Sequence, residues 1–426
     1  MPSTLRSGWY AVGVLWLAYI CSFVDRQLLA LLVDPIRQSL GVSDTQISLL
    51  QGLAFGVFYA LMGLPCGALI DRFDRRLVIA CGIALWSFAT VACGFAVGFW
   101  TLFVARMLVG VGEATLSPGA LSILSDHFPP EKRVLPLSLY ISAGSFGGGL
   151  AMIAGGAAIA YVASHPILLP GGGSLDGWRA AFMVVGVPGL AIAALMLTVR
   201  EPPRTLGSPG AKVDVDWVDA WHFMRERRDL FLLHYGGFVL FAWLAYAILS
   251  WAPAFFVRVH GWTLPETGLR FGLAYLIAGT LGAILGGTLA TRLRKKHLDG
   301  NLRLAAVGLT AIIVPAVAAP LIVNPWGSLA LFAVAVFCTA LPSGASAAAI
   351  TEVTPSNLRG RVSAVYYLVM SIVGLTLGPL SVALLTDYVF EDPTRVGDSL
   401  AIVCAVISPL AAVLMWSALR PFRKWV

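Results

Sequence analysis

The chain has 426 residues, of which 58% are hydrophobic and 12% are charged, and its formal net charge is +7. Its mean hydropathy is +0.83. A soluble protein of this length would expose far more charge, so the composition excludes that class and predicts a multi-pass membrane protein.

Twelve apolar segments are long enough to cross a bilayer, which takes about 20–25 residues per helix. They lie near residues 9–33, 46–70, 77–97, 99–124, 135–162, 178–199, 230–257, 267–291, 302–323, 327–351, 362–386 and 398–419. Most Lys and Arg residues fall in inner loops and tails if both termini are cytoplasmic. This placement makes the positive charge a signal of topology and not of nucleic-acid binding. The predicted fold is an all-α membrane protein with cytoplasmic N and C termini.

Four charged side chains interrupt two of these segments. Asp25 and Arg26 lie in the first, and Arg106 and Glu113 lie in the fourth. Each charge at mid-bilayer costs roughly 2.5–3.5 kcal/mol, so four unpaired charges would cost about 10–14 kcal/mol. We therefore expect them to pair with one another and to face a wet cavity.

The heights of these charges leave the pairing open. Arg106 and Glu113 share one helix face, about 10 Å apart along the axis, and Asp25 falls between them in height at about 1.5 Å per residue. Asp25 could thus meet Arg106, or Glu113 could lack a partner. We predict that Asp25 and Glu113 carry the coupling proton and that Arg26 and Arg106 pair with a charged substrate group. The alternative is a static ion-pair network between the first and fourth helices. For Arg26, the sequence favours this alternative as much as a contact with the substrate.

An internal repeat divides the chain into two halves. The stretch from Gly67 to Arg76 recurs from Gly287 to Lys296, and Asp126, Pro129, Arg133 and Tyr140 match Glu352, Pro355, Arg359 and Tyr366 at identical spacing. Parallel repeats of six helices predict two similar bundles with the substrate site between them. The expected domains are an N-terminal bundle at 1–199, a cytoplasmic linker at 200–228 and a C-terminal bundle at 229–426.

Charges at the cytoplasmic helix ends predict a gate that holds the outward-facing state. The candidate gate residues are Asp71, Arg72, Arg75, Arg76, Asp126, Arg133, Glu352 and Arg359. We expect Asp71, Arg72, Arg75 and Arg76 to form ion pairs between the second and eleventh helices. We expect Asp126 with Arg133, and Glu352 with Arg359, to form equivalent latches. The usual excess of positive charge in cytoplasmic loops would by itself explain the arginines, but it would not explain Asp71.

The linker at 200–228 predicts an amphipathic helix along the cytoplasmic face. Val213, Trp217, Trp221 and Met224 recur at helical spacing, with charged residues between them. A solvated linker is the alternative.

The second half has no charge at mid-depth but many aromatic residues. A candidate apolar substrate pocket comprises Phe238, Phe241, Trp243, Tyr246, Tyr366 and Tyr367. A polar first half and an aromatic second half would suit a molecule with a headgroup and a tail. Packing or lipid contact is the alternative for any one of these residues.

No arrangement of side chains predicts catalysis or a cofactor. The six cysteines are scattered through apolar segments, and the six histidines form no cluster. We therefore expect neither a membrane enzyme nor a metal or other cofactor. The two-half repeat favours a carrier over a channel.

The loop after the second segment, Gly67…Asp71-Arg72…Arg75-Arg76, resembles the signature loop of the major facilitator superfamily, although Asp74 stands where Gly is usual. Within that superfamily the chain looks most like the spinster lipid transporters. The stretches that carry this likeness are Phe23-Val24-Asp25-Arg26, Gly67-Ala-Leu-Ile-Asp71-Arg72 and Arg106-Met-Leu-Val-Gly110-Val-Gly112-Glu113-Ala114. The superfamily resemblance covers the whole chain, and the spinster resemblance is strongest in the first six helices.

The resemblance implies alternating access driven by protons, with helices 1, 4, 7 and 10 lining the cavity. Animal spinsters are associated with lysophospholipids and sphingosine-1-phosphate, so an amphipathic lipid is the expected substrate. A proton-coupled carrier of a small organic anion or drug-like compound is the alternative. The expected partners are this substrate, protons and membrane lipids, without nucleic acid, and the chain is expected to act as a monomer in a bacterial inner membrane.

Overall fold

The computed structural model describes residues 2–129, 132–165, 175–203, 217–355 and 358–426. The α-helices are α1 (Pro2–Leu31), α2 (Val33–Leu40), α3 (Asp44–Gln51), α4 (Phe58–Arg72), α5 (Arg75–Cys93), α6 (Phe99–Glu113), α7 (Leu116–His127), α8 (Val134–Ser164), α9 (Gly177–Leu197), α10 (Trp217–Glu226), α11 (Arg228–Arg258), α12 (Leu264–Lys296), α13 (Gly300–Ala311), α14 (Ile313–Ala318), α15 (Pro325–Ala340), α16 (Ser343–Val353), α17 (Arg359–Val369), α18 (Leu375–Leu384) and α19 (Val396–Trp425). Short π-helical turns lie at Leu53–Val57, Met370–Gly374 and Leu385–Phe390, and 3₁₀ turns lie at Ala319–Leu321 and Pro393–Arg395.

Twelve helical stretches of the described chain are long and apolar enough to cross a membrane. Numbered as spans 1 to 12, they are Arg6–Leu31, Asp44–Arg72, Arg75–Cys93, Phe99–His127, Leu135–Ser164, Gly177–Leu197, Arg228–Arg258, Leu264–Lys296, Gly300–Leu321, Pro325–Val353, Arg359–Phe390 and Pro393–Trp425. Each overlaps one predicted apolar segment, so the predicted twelve-helix, all-α fold is confirmed. The cytoplasmic position of the termini stays a prediction.

The chain forms two compact units. Unit 1 comprises Met1–Leu206 with Gly261–Leu276, and unit 2 comprises Gly207–His260 with Ile277–Val426. The start of α12 belongs to unit 1 because it packs closely on α8: a Cβ at Gly149 would lie 2.7 Å from the Gly272 carbonyl oxygen. The structural division therefore cuts α12 and also falls between residues 206 and 207, inside the predicted linker, and the predicted domain bounds stay a prediction.

Several spans are interrupted, and two of the interruptions lie beside the charged residues. In span 2 the π-helical turn Leu53–Val57 separates α3 from α4. In span 4, α6 ends at Glu113 and α7 begins at Leu116, and the Thr115 hydroxyl donates a hydrogen bond to the Gly112 carbonyl at 2.9 Å.

Helix α10 is the described part of the predicted amphipathic linker helix, while residues 204–216, including Val213, lie outside the described residues. Phe223 and Met224 are buried in the core of unit 2, whereas Trp217 and Trp221 are exposed. One flank of α10 thus packs on unit 2, and its attachment to the membrane surface stays a prediction.

Candidate functional site

Glu113 is held by two side chains from α1. Arg26 Nη2 donates to Glu113 Oε2 at 2.5 Å, and Ser22 Oγ donates to the same oxygen at 2.6 Å. Ser22 and Arg26 are four residues apart and therefore lie on one face of α1. The Glu113 side chain is fully buried, so this charge-assisted contact joins spans 1 and 4 away from water.

Asp25 lies in different surroundings, although it is adjacent to Arg26. Arg106 Nη1 donates to the Asp25 main-chain carbonyl at 3.1 Å and not to its carboxylate. Neither carboxylate oxygen of Asp25 has a hydrogen-bond partner among the described residues, and the same holds for Arg106 Nε and Nη2. Both side chains are fully buried. The carboxylate without a partner is therefore Asp25, not Glu113, because Arg26 shares the Ser22 face while Asp25 points about 100° away from it.

Span 3 contributes polar groups to the same region. The Thr90 hydroxyl lies close to Asp25 without reaching hydrogen-bonding geometry. The Ser87 hydroxyl and the Trp86 indole N–H are also buried, with no partner in the part of the chain that the structure describes. Span 3 carries no charge at this depth, so the sequence offered no reason to include it.

Aromatic rings surround the Arg26 guanidinium. Its Cζ atom lies 4.5 Å from the ring centroid of Phe55 and 5.0 Å from those of Phe23 and Tyr59. Arg106 Cζ also lies 5.7 Å from the Phe55 centroid. Sequence reasoning missed Phe55, Tyr59 and Ser22, and only Ser22, one helical turn before Arg26, left a recognisable signal.

Arg75 is the centre of the charge network at the end of unit 1 that is predicted to be cytoplasmic. It donates from Nη1 to Asp126 at 2.5 Å, from Nε to Glu201 at 2.6 Å and from Nη2 to the Pro202 carbonyl at 2.9 Å. Arg133 donates instead to the Phe128 carbonyl at 2.8 Å. Asp126 thus accepts a hydrogen bond from Arg75, where the sequence predicted one from Arg133. Arg133 instead donates to the carbonyl that ends α7.

The remaining gate residues of this loop lie at the surface. Asp71 and Arg72 are exposed at the end of α4. Arg76 pairs with Asp74 at 2.7 Å, and this hydrogen bond lowers the pKa of Asp74 below its usual range. The predicted pairing between the second and eleventh helices stays a prediction.

Unit 2 repeats this arrangement with changed residues. Glu352 accepts from Arg294 at 2.7 Å and from Asn301 at 2.8 Å. Arg359 donates to the Thr354 carbonyl at 2.9 Å, five residues earlier, as Arg133 does in unit 1. The predicted latch between Glu352 and Arg359 is replaced by the contact of Glu352 with Arg294.

The six predicted pocket residues occupy three different environments within unit 2. Phe238, Phe241 and Tyr366 are buried in its hydrophobic core. Trp243 is partly buried and donates to Ser381 at 2.9 Å, Tyr246 is partly buried, and Tyr367 is 55% exposed. For the three core residues, packing describes the structure better than the predicted pocket does.

A small apolar pocket in the core of unit 2, with His234 among the residues that line it, has no room for a water molecule. Ligand pockets usually measure about 300–1,000 Å³. This pocket is therefore too small to hold a lipid chain.

Comparison with known proteins gives consistent matches. The profile of the Major Facilitator Superfamily matches residues 15–379. An MFS-type efflux pump of Mycolicibacterium smegmatis is 29% identical over 425 residues, covering 98% of this chain and 94% of that protein. Protein spinster homolog 1 of Homo sapiens is 32% identical over 320 residues, but the match covers 70% of this chain and only 57% of that protein.

A solved structure extends the likeness to the fold. The crystal structure of a bacterial homolog to the human lysosomal transporter spinster, inward-facing and unoccupied, has a TM-score of 0.83 and 26% identity. It covers 98% of both chains.

Proposed function

The chain belongs to the major facilitator superfamily and resembles its spinster branch, and on that premise we propose that it is a proton-coupled transporter of an amphipathic lipid with an anionic headgroup. A lysophospholipid or a sphingosine-1-phosphate-like molecule fits this description. Membership makes the protein a transporter and not an enzyme, and a multi-pass protein of the bacterial inner membrane.

The buried charge cluster of unit 1 is the observation that carries this proposal. Its two carboxylates and the Arg106 guanidinium are buried and Arg26 is partly buried, and of the two carboxylates only Glu113 has an ion-pair partner among the described residues. An intramembrane charge is expensive and is retained for function by default. Asp25, to which no described side chain donates a hydrogen bond, is suited to bind and release a proton.

The geometry supports a mechanism in which Arg26 exchanges Glu113 for the anion while Glu113 exchanges Arg26 for a proton. Arg106 has two nitrogen atoms, Nε and Nη2, without a partner in the described structure, so a phosphate oxygen can bind there. A headgroup that also reaches Arg26 competes with Glu113 for that guanidinium. Once Arg26 leaves, Glu113 is a buried carboxylate without its counter-charge, and proton binding removes the resulting energetic penalty. Departure of the anion reverses both steps.

Rocker-switch alternating access would convert this exchange into transport. We assign the predicted cytoplasmic gate to the Arg75 network, where one guanidinium connects α5, Asp126 at the end of α7 and Glu201 after span 6. Asp71 and Arg72 stay part of the proposed gate as its exposed members.

A small organic anion or drug-like compound is the second candidate substrate. The relative that matches almost the whole chain is named as an efflux pump, which favours this class. The likeness to spinster proteins, a family associated with lysophospholipids, supports the lipid, although the names of the matched spinster relatives state no substrate.

Transport into proteoliposomes decides between these substrates. Labelled lysophosphatidic acid, sphingosine-1-phosphate and gluconate would be offered with and without an imposed pH gradient, using empty liposomes as the control. We expect gradient-stimulated transport of a lysolipid and none of gluconate. If the pH gradient stimulated the transport of gluconate alone, the result would support the organic-anion candidate. Transport at the same rate with and without the gradient would contradict proton coupling.

A further inference from the structure

The π-helical turn of span 2 carries a buried aromatic residue into the charged cluster. This turn, Leu53–Val57, lies between α3 and α4, and Phe55 at its centre is fully buried. A π turn inserts one residue into a helix and rotates the side chains that follow by about 100°. The turn therefore sets the direction in which the Phe55 ring points.

The Phe55 ring contacts both arginines of the cluster. Its centroid lies 4.5 Å from Arg26 Cζ and 5.7 Å from Arg106 Cζ. Both distances are within the roughly 6 Å over which a ring attracts a cation. Tyr59 stacks on Phe55 at 5.5 Å and also lies against Arg26.

Span 4 is shaped to receive this turn. Gly110 lies between Arg106 and Glu113 on the same face of α6. A Cβ atom at Gly110 would lie only 2.6 Å from the Phe55 carbonyl oxygen and 3.2 Å from the Tyr59 nitrogen. The backbone of the π turn thus occupies the space left by the missing side chain, which fixes Phe55 at a height between the two charges of span 4.

We infer that Phe55 is a positioning residue for the charged cluster: its ring holds Arg26 where it reaches Glu113 and steadies Arg106 beside the Asp25 carbonyl. The two guanidinium groups repel each other, and a ring attracts both without forming an ion pair with either. Because the ring carries no charge and binds no proton, its contact with Arg26 leaves Arg26 able to exchange Glu113 for an anion. This role in transport rests on the proposed function.

Fluorinated phenylalanine at position 55 tests the role of the ring. Each added fluorine weakens cation attraction while the size of the side chain changes little. A desolvated contact of this kind is worth about 30-fold in an equilibrium constant. We expect the kcat for proton-driven transport of lysophosphatidic acid to fall stepwise from mono- to trifluorophenylalanine, by up to about 30-fold, and Phe55→Tyr to retain activity.

Phe182 provides the matched control, because it is equally buried in unit 1 and packs on Trp178. The same fluorine series at Phe182 should leave kcat unchanged. An unchanged kcat along the series at Phe55, or an equal fall at Phe182, would overturn the inference.

Fluorine NMR tests the contact without relying on transport. The resonance of 4-fluorophenylalanine at position 55 should move in the Arg26→Gln and Arg106→Gln variants, and that of the same label at Phe182 should not. A resonance at position 55 that stays in place in both variants refutes the positioning role, whatever the transport result. A shifted resonance in a protein that shows no gradient-driven transport would refute the proposed function and leave the contact itself established.

Discussion

Asp25 and Glu113 are carboxylates of one cluster in unlike surroundings. Glu113 accepts from Arg26 and Ser22 through one oxygen, whereas Asp25 meets Arg106 only through its main chain. Environments that separate two carboxylates in this way commonly separate their roles. Within the proposed mechanism, Glu113 binds its proton when Arg26 leaves it for the anion, whereas Asp25 binds and releases a proton without exchanging a partner.

The Arg26–Glu113 pair predicts a specific pattern of stability. Arg26→Gln leaves Glu113 buried without a counter-charge, and removing one partner of a buried pair costs about 3–5 kcal/mol. The double variant Arg26→Gln with Glu113→Gln removes that lone charge, so we expect most of the loss to be recovered. Thermal unfolding of the purified protein measures both variants.

A partly exposed ion pair supplies the control for this prediction. Arg270 and Glu266 pair at 3.2 Å in α12, and Glu266→Gln should lower the unfolding midpoint far less than Arg26→Gln does. A double variant as unstable as Arg26→Gln alone would show that Glu113 does not depend on Arg26.

The sequence predicted which residues form the cluster but not their pairing. Charges inside apolar segments were sufficient to select Asp25, Arg26, Arg106 and Glu113, because their energetic penalty is independent of the fold. Pairing depends on which helix face each side chain occupies relative to its neighbours. No local pattern separates Phe55, which contacts two arginines, from an ordinary packed phenylalanine.

At the scale of elements, the interruptions of the spans place the site. Twelve helices followed from apolar length alone, but the π turn of span 2 and the break after Glu113 in span 4 did not. The π turn contains no proline, and it lies where spans 2 and 4 approach closely at Gly110, so it depends on tertiary packing. The break in span 4 does have a sequence signal, because Pro118 cannot donate the helical hydrogen bond to the Ala114 carbonyl four residues earlier.

Asp299 connects two elements of unit 2 through charge. It precedes α13 and accepts from Arg303 at 2.6 Å and from Arg423 of α19 at 2.5 Å. Burial alone would raise the pKa of Asp299, but the hydrogen bonds from Arg423 and Arg303 outweigh it and lower the pKa below its usual value.

This shift predicts an acid-dependent contribution to stability. A group whose pKa is lower in the folded state stabilises the protein above its unfolded pKa, about 3.9 for Asp, and loses that contribution as the pH falls through its folded pKa. We expect Asp299→Asn to lower the unfolding midpoint at pH 7 and to reduce its fall below about pH 4. Unfolding scans from pH 7 to pH 3 measure this, with Glu391→Gln at an exposed carboxylate as the control. Parallel curves for wild type and Asp299→Asn would refute it.

At the scale of the whole molecule, the repeat keeps its geometry while its charges diverge. Arg133 and Arg359 each donate to a carbonyl five residues earlier. Asn301 contacts Glu352 as Arg75 contacts Asp126, across the same sequence separation of 51 residues. The sequence matched Arg75 with Lys295, but α12 continues to Lys296 and α13 begins only at Gly300, so the equivalent of Arg75 is Asn301, six residues later. The predicted repeat thus did not identify every equivalent residue.

The central claim is that Asp25 and Glu113 couple protons to transport. A comparison of pH-gradient-driven accumulation with substrate exchange tests this claim. Asp25→Asn and Glu113→Gln mimic permanently protonated groups, which can no longer release a proton. In proteoliposomes, we expect each variant to lose pH-gradient-driven accumulation of lysophosphatidic acid while retaining exchange of labelled for unlabelled lysolipid across the membrane. Glu266→Gln, at the partly exposed ion pair with Arg270, should keep both activities. Accumulation at the wild-type level in both Asp25→Asn and Glu113→Gln would contradict the claim.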